Sequence, residues 1–251
     1  MYFYIADPPQ TKVDQTAVAA IRARLIPDGI AGEFVFRTPG QSAATLAKSA
    51  IDQGYSTIVA VGNEYLAAEI AGTIYDQPIA LGVLPINASP DLAQIIGYSD
   101  WRVGIKALRH RKIILRDIGV INAELFFLSE VKINSAKPQH FYLHTDRFSA
   151  EIFSNIIRIT LCTGEMPFAF AGLLNFYTTA KNGPIWSKSI FGKPAFNVET
   201  LMRSDTAVIQ SESDCDVVQD GHAIAKMPIS LSVIPQSVRI ITARQLHTEA
   251  E

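Results

Sequence analysis

The stretch of sequence that decides the fold is TIVAVGNEYLAAEIAGTIYDQPIALGVL, residues 57–84. It begins with the run Thr57 to Val61, which is typical of a strand buried on both faces of a parallel sheet. Glu64 to Ile74 then places apolar residues at helical spacing, and Ile79 to Leu84 is a second apolar run. A strand, a helix and a strand in this order predict a βαβ unit.

The same alternation extends over residues 1–110 and predicts a parallel sheet covered by helices. Ser89-Pro90-Asp91 is a strong helix start, because Ser caps, Pro suits the first helical position and Asp complements the helix dipole. The remaining predicted elements are strands at 2–6 and 33–36 and helices at 16–25, 41–51 and 101–109.

After residue 110 the pattern changes to short β-branched and aromatic runs separated by Gly, Pro and Asn turns. Strands are predicted at 113–118, 124–131, 141–144, 156–162, 194–198, 207–210 and 229–234. The predicted fold is therefore an N-terminal parallel-sheet α/β domain, residues 1–110, followed by a mainly antiparallel β domain, residues 111–251.

Composition narrows the classes of function. The chain is 48% hydrophobic and 18% charged, so it can bury a substantial core. Its net charge of -2 supplies no overall attraction for nucleic acid or for an anionic membrane surface. Cys162 and Cys215 lack metal-ligand spacing and indicate reduced thiols in the cytoplasm. The longest apolar run, Met166 to Leu174, is too short for a transmembrane helix.

One basic run, Arg109-His110-Arg111-Lys112, has two interpretations. It is a solvated helix end whose cations complement the dipole, or it contacts anionic phospholipid headgroups in a peripheral membrane interaction.

Several segments, taken in order, resemble the diacylglycerol kinase catalytic domain family, which includes bacterial lipid kinases and sphingosine kinases. Thr57 to Gly72 and Ile79 to Gly97 carry the resemblance, and Thr38-Pro39-Gly40 precedes them at the start of a helix. Arg116 to Asn122 is similar to the family's D-x-G-x-x-N entry into its β domain. The resemblance implies ATP-dependent phosphorylation of a lipid hydroxyl, with ATP and magnesium as cofactors.

The resemblance also implies nucleotide contacts, but the motifs that make them are degenerate. The family's G-G-D-G-T loop is Val61-Gly62-Asn63-Glu64-Tyr65 here, so Glu64 brings a negative charge to a phosphate loop. Its G-T-G-N-D loop keeps only the final acid, Asp91, which a helix dipole alone also favours. The cofactor-binding residues implied are Thr38, Gly62, Asn63, Glu64 and Asp91.

The catalytic residues implied are Asp220 and His222, in a segment similar to the family's D-G-E turn. His222 replaces the acidic general base, and histidine serves as a base near neutral pH. A plain hairpin turn explains Asp220-Gly221 equally. Phe170 to Asn175 matches a magnesium-holding stretch but lacks both carboxylates, so that site is predicted to be absent.

Three functions remain open on the sequence alone. The first is a lipid kinase with impaired chemistry, and the second is a noncatalytic scaffold that binds a nucleotide, a lipid or a protein partner. The third is an unrelated α/β sugar- or nucleotide-binding protein. Under the first two, Thr38, Gly62, Asn63 and Asp220 are expected to face one shared cleft.

Overall fold

A computed structural model describes residues 1–38, 40–161, 172–180 and 198–243. These residues form two compact units. The α/β unit contains residues 1–118, 126–129 and the end of the chain from residue 235, and the β unit contains residues 119–125 and 130–234. The prediction had one boundary after residue 110, whereas this division assigns residues 111–118, 126–129 and the end of the chain from residue 235 to the α/β unit.

The α/β unit has a parallel sheet in the order β2 (Gly32–Phe36), β1 (Tyr2–Ala6), β3 (Thr57–Gly62) and β4 (Ala80–Pro85). The second part of strand β14 (Ile229–Ile241) lies beside β4. The register is continuous across the sheet, with Tyr2 opposite both Gly32 and Thr57, and Ala80 opposite both Thr57 and Arg239. Its elements are β1 (Tyr2–Ala6), α1 (Lys12–Leu25), β2 (Gly32–Phe36), α2 (Ala43–Asp52), β3 (Thr57–Gly62), α3 (Glu64–Ile74), β4 (Ala80–Pro85), α4 (Pro90–Ile96) and α5 (Trp101–His110).

Helix α1 begins earlier than its apolar spacing predicts, at Lys12 and not at Thr16. The cause is a capping box. The Thr11 hydroxyl accepts a hydrogen bond from the Asp14 backbone N–H at 3.1 Å, and the Asp14 carboxylate accepts one from the Thr11 N–H at 3.1 Å. Two orphan donors of the first turn are thereby satisfied.

The core of the α/β unit is built on the central strands. Ile58, Val59 and Ala60 of β3 are completely buried. Two buried tyrosines place their hydroxyls on backbone carbonyls: Tyr4 donates to Ile30 at 2.6 Å and Tyr98 donates to Val83 at 2.8 Å. Burial raises the pKa of both phenols, because the charged phenolate loses its hydration.

The β unit is an antiparallel sheet in the order β10-β9-β8-β7-β11-β14, and a hairpin of β12 and β13 adds to β7. The strands of the β unit are β7 (Glu130–His144), β8 (Ser149–Leu161), β9 (Leu174–Ala180), β10 (Val198–Ser204), β11 (Thr206–Ser211), β12 (Asp216–Gln219), β13 (His222–Lys226) and the first part of β14 (Ile229–Ile241). The predicted fold class is confirmed. The division between the units falls within strands β5 (Ile113–Ile121) and β6 (Leu125–Phe127), after residues 118 and 125.

The strand predicted at residues 124–131 is interrupted. Strand β6 ends at Phe127 and β7 begins at Glu130, because the Ser129 N–H bonds to a side chain at 3.0 Å instead of joining a ladder. Phe126 lies against α3 at Gly72, where a Cβ atom would be 2.0 Å from the Phe126 ring. Gly72 therefore permits the close approach that brings Ser129 to the start of α3.

Strand β14 runs seven residues beyond its predicted end at Ile234. Within it Gln236 has a φ of 46°, and its N–H donates to the Asp117 carboxylate at 2.8 Å. Farther back, the Ser230 N–H donates to the Asn122 side chain at 2.8 Å. The acid and the amide of the D-x-G-x-x-N stretch therefore each accept a backbone N–H of β14.

Some predictions fall on residues 39, 162–171, 181–197 and 244–251, which lie outside the described part of the chain. They are Cys162, most of the Met166 to Leu174 run, and the strand at 194–198 except for Val198, with which β10 begins. Among the described residues, none of the helices has both the length and the apolar character needed to cross a bilayer.

Candidate functional site

Four of the five implied nucleotide-binding residues follow the carboxyl ends of β3 and β4 in the α/β unit. Gly62 ends β3, Asn63 and Glu64 begin α3, and Asp91 lies in the first turn of α4. The two loops are neighbours, since the Ile86 N–H donates to the Gly62 carbonyl at 3.0 Å. The carboxyl ends of parallel strands are where open α/β folds bind ligands.

The first loop closes on its own helix. The Asn63 side chain accepts a hydrogen bond from the Leu66 N–H at 3.1 Å and so caps α3. Gly62 packs against the same residue, because a Cβ atom here would lie 3.2 Å from Leu66 Cδ2. One of the backbone donors that an anion could use is therefore already engaged by the cap.

Glu64 is the most deeply buried charged residue of the site, with 2% of its surface exposed. Its Oε2 accepts from the Ser89 hydroxyl at 2.8 Å, and its Oε1 accepts from both the N–H and the hydroxyl of Ser129. The sequence predicts a charge directed at phosphate, whereas the structure turns this carboxylate onto two serines. The sequence pattern could not indicate this contact, because Ser129 lies 65 positions farther along the chain and only the fold brings it to Glu64.

The second loop is also internally bonded. The Ser89 hydroxyl accepts from the Leu92 N–H at 3.0 Å while it donates to Glu64, so the cap of α4 is linked to the first turn of α3. Asn87 adopts a left-handed conformation with φ 58°, and its amide donates to the Asp14 carboxylate at 3.3 Å. Asp91 is half-buried in the first turn of α4, where its charge complements the helix dipole.

Thr38 follows β2 at the same edge of the sheet, and its hydroxyl donates to the Gln41 side chain at 3.0 Å. Its neighbour Arg37 is a residue that the sequence analysis missed. The Arg37 guanidinium pairs with Asp7 at 2.6 Å and with Glu69 at 3.0 Å. One cation between two carboxylates leaves this group with a net negative charge, which opposes an incoming phosphate. An arginine directly after a predicted strand was the available signal.

Asp220 and His222 lie in the β unit, on the hairpin of β12 and β13. Asp220 has a φ of 47° and Gly221 a φ of 82°, as the two central residues of a type I′ turn require. The Asp220 side chain is half-buried and that of His222 is exposed. Their convergence with Thr38, Gly62 and Asn63 on a shared cleft stays a prediction.

The stretch implied to hold magnesium does not fit that ion in its described part. Leu174 is completely buried, and the Asn175 side-chain oxygen accepts from Arg203 Nε at 2.9 Å. Phe170 and Ala171 lie outside the described residues. Within the ranges that the structure describes, no three His, Cys, Asp or Glu side chains cluster as metal ligands.

Comparison of the whole chain with solved structures places its fold. It superposes on a diacylglycerol kinase from Bacillus anthracis str. Sterne with a TM-score of 0.67 and 13% identity, covering 96% of each chain. A second structure from that organism, provisionally named a diacylglycerol kinase, gives a TM-score of 0.72 over 96% of this chain and 97% of that one, at 13% identity. The chain has the diacylglycerol-kinase-like fold.

A yeast NADH kinase in complex with NADH is a more distant neighbour, with a TM-score of 0.56 and 9% identity over 98% of this chain and 84% of that one. No family model matches the sequence, and no curated protein matches it either. The likeness supports the family resemblance of the sequence motifs and is a likeness of fold.

Proposed function

We propose that this protein is of the lipid-kinase type, with ATP-dependent phosphorylation of a lipid hydroxyl as its reaction, and that its phosphate loops impair that reaction. The fold shared with the diacylglycerol kinases supports the class of reaction. The hydrogen bond of 2.8 Å between Ser89 and Glu64 supports the proposed impairment, because it joins the two phosphate loops to each other.

A phosphate loop works through backbone N–H groups that are free to approach anionic oxygens, and glycines permit that approach. Here Asn63 and Ser89 direct their side-chain oxygens to the N–H groups of Leu66 and Leu92. Glu64 occupies a loop position that would be glycine in the kinases, and three hydrogen-bond donors hold it in place. A nucleotide phosphate would have to displace these internal contacts, so the expected affinity for ATP is low.

For the proton transfer we propose Asp220 and His222. The type I′ turn fixes the backbone at Asp220, and His222 begins the next strand. Histidine is a residue that serves as a general base near neutral pH. The described part of the 170–175 stretch offers no carboxylate to hold magnesium. We therefore propose that magnesium enters the site bound to the nucleotide phosphates. The proposed location is the cytoplasm.

The test compares two loop variants of the full chain. The first is Asn63→Asp with Glu64→Gly and Tyr65→Thr, which restores the kinase loop. The second is Asn63→Asp with Tyr65→Thr, which is matched to the first but keeps the bonds of Glu64. Affinity for ATP is measured by calorimetry with and without magnesium, and the unfolding temperature of each variant is recorded without ligand.

We expect the triple variant to bind ATP at least about tenfold more tightly than the wild type, which corresponds to about 1.4 kcal/mol. The double variant should gain much less. An equal gain in both variants would show that the bonds of Glu64 do not limit binding. A wild-type chain that already binds ATP as tightly as the triple variant would contradict the proposal.

A further inference from the structure

Helix α5 carries a row of basic side chains on its exposed side. Arg102, Lys106 and Arg109 are separated by four and three positions, so they fall on one face of the helix. The opposite side is buried against the α/β unit through Gly104, Ile105, Ala107 and Leu108. The basic row is therefore fixed toward solvent by the packing of the helix.

The charges of this row are only partly compensated. Arg109 lies 3.8 Å from Asp28, a carboxylate that also binds Arg24 at 2.6 Å, and Arg102 lies 3.4 Å from Asp100. Lys106 has no ion pair among the residues that the structure describes. Three more basic residues follow the row, His110, Arg111 and Lys112. The basic surface is thus local, on a chain whose net charge is -2.

Apolar side chains accompany the basic ones. Val103 lies on the exposed side of α5 with 38% of its surface accessible. Ile113 and Leu115, just after the helix, are 38% and 48% exposed. Trp101 begins the helix, and the Arg102 guanidinium lies 4.5 Å from its ring centroid. A purely electrostatic partner would contact the cations and leave these apolar groups in water.

We propose that the α5 surface, defined as Arg102, Val103, Lys106, Arg109 and His110, docks on a bilayer that contains anionic phospholipids. A bilayer interface offers phosphate charge for the cations and acyl-chain surface for valine, and basic amphipathic helices bind in this manner. Nucleic acid would use only the cations. The inference concerns a surface and does not depend on whether the protein transfers phosphate.

The experiment measures sedimentation of the full chain with vesicles of phosphatidylcholine alone and of phosphatidylcholine mixed with phosphatidylglycerol. The test variant is Arg102→Gln with Lys106→Gln and Arg109→Gln. The matched control is Lys48→Gln with Lys137→Gln and Lys226→Gln, which removes the same charge at exposed positions elsewhere. We expect binding to the mixed vesicles only, reduced about fivefold for each α5 charge removed and nearly unchanged in the control.

A second measurement keeps the test independent of these variants. In a Trp186→Phe chain, Trp101 is the remaining tryptophan, and its fluorescence should be quenched by brominated acyl chains in the mixed vesicles. The proposal is overturned if the α5 variant binds as the wild type does, or if the control loses binding equally. It is also overturned if vesicles leave Trp101 unquenched, or if the chain binds an oligonucleotide and no vesicle.

Discussion

Glu64 begins a helix with its carboxylate almost fully buried, an arrangement that is costly unless the charge is hydrogen-bonded. Ser89 and Ser129 supply the required donors from two other segments of the α/β unit. A side chain that sequence alone assigns to the phosphate is therefore also a structural link between α3, α4 and the segment 126–129. These hydrogen bonds explain how a loop that keeps only Gly62 of the family's glycines is still held in place.

Replacing Glu64 with Ala should destabilise the protein strongly. The Ser129 N–H and hydroxyl would be left buried without their acceptor, which costs about 3 kcal/mol of the free energy of unfolding. Urea denaturation measures the change. Glu124→Ala is the matched control at an exposed position and should stay within about 0.5 kcal/mol of the wild type. Equal stability of the two variants would contradict the structural role of Glu64.

Tyr98 is expected to make the free energy of unfolding depend on pH in the alkaline range. Burial raises its pKa above the ordinary value near 10, so the folded state keeps the phenol proton at a pH where the unfolded chain has released it. The stabilisation is complete below the unfolded pKa and is lost as the pH rises through the folded pKa. In Tyr98→Phe the free energy of unfolding should fall less steeply above pH ~10, and urea titrations at several pH values measure the slope. An unchanged slope would contradict this assignment.

The hairpin of β12 and β13 depends on two residues in the left-handed region. Gly221→Ala should destabilise the protein by about 1–2 kcal/mol, because a Cβ atom is disfavoured at its φ of 82°. Asp220→Asn is the matched control, since Asn suits the first position of a type I′ turn. Thermal unfolding of both variants tests the turn. A Gly221→Ala chain as stable as Asp220→Asn would contradict the turn assignment.

Elements with strong local signals could be predicted from the sequence. The buried run of β3 and the Ser89-Pro90 start of α4 lie where the pattern predicts them. The early start of α1 at its capping box was missed because the apolar spacing begins later. Strands β12 and β13 were not predicted, because they are only four and five residues long. Their pairing depends on the Asp220-Gly221 turn between them rather than on a long apolar pattern.

For the whole molecule, the change from helical to two-residue periodicity sufficed to predict an α/β region and an antiparallel β region. The return of β14 to the α/β unit could not be predicted, because Pro235-Gln236 is typical of a turn and a strand end. The parallel pairing of Arg239 with Ala80 joins residues far apart in sequence. No local pattern specifies such a pair.

The sequence predicted where in the fold the candidate residues lie but not their contacts, and their binding of a nucleotide stays a prediction. Motif order located Gly62, Asn63 and Asp91 at loops that follow parallel strands. The partners of Glu64 lie 25 and 65 positions away, and the Arg37 group joins residues 30 and 32 positions apart. Such contacts arise from tertiary packing, so they were accessible only from the structure.

Phosphoryl transfer by the unmodified chain tests the central claim most directly. Radiolabelled ATP and magnesium are supplied with diacylglycerol in mixed micelles, and a bacterial diacylglycerol kinase serves as the positive control. We predict incorporation of label far below that control, because positioning of phosphate dominates this reaction and the loops bind each other. Turnover comparable to the control, abolished by Asp220→Asn, would contradict the account.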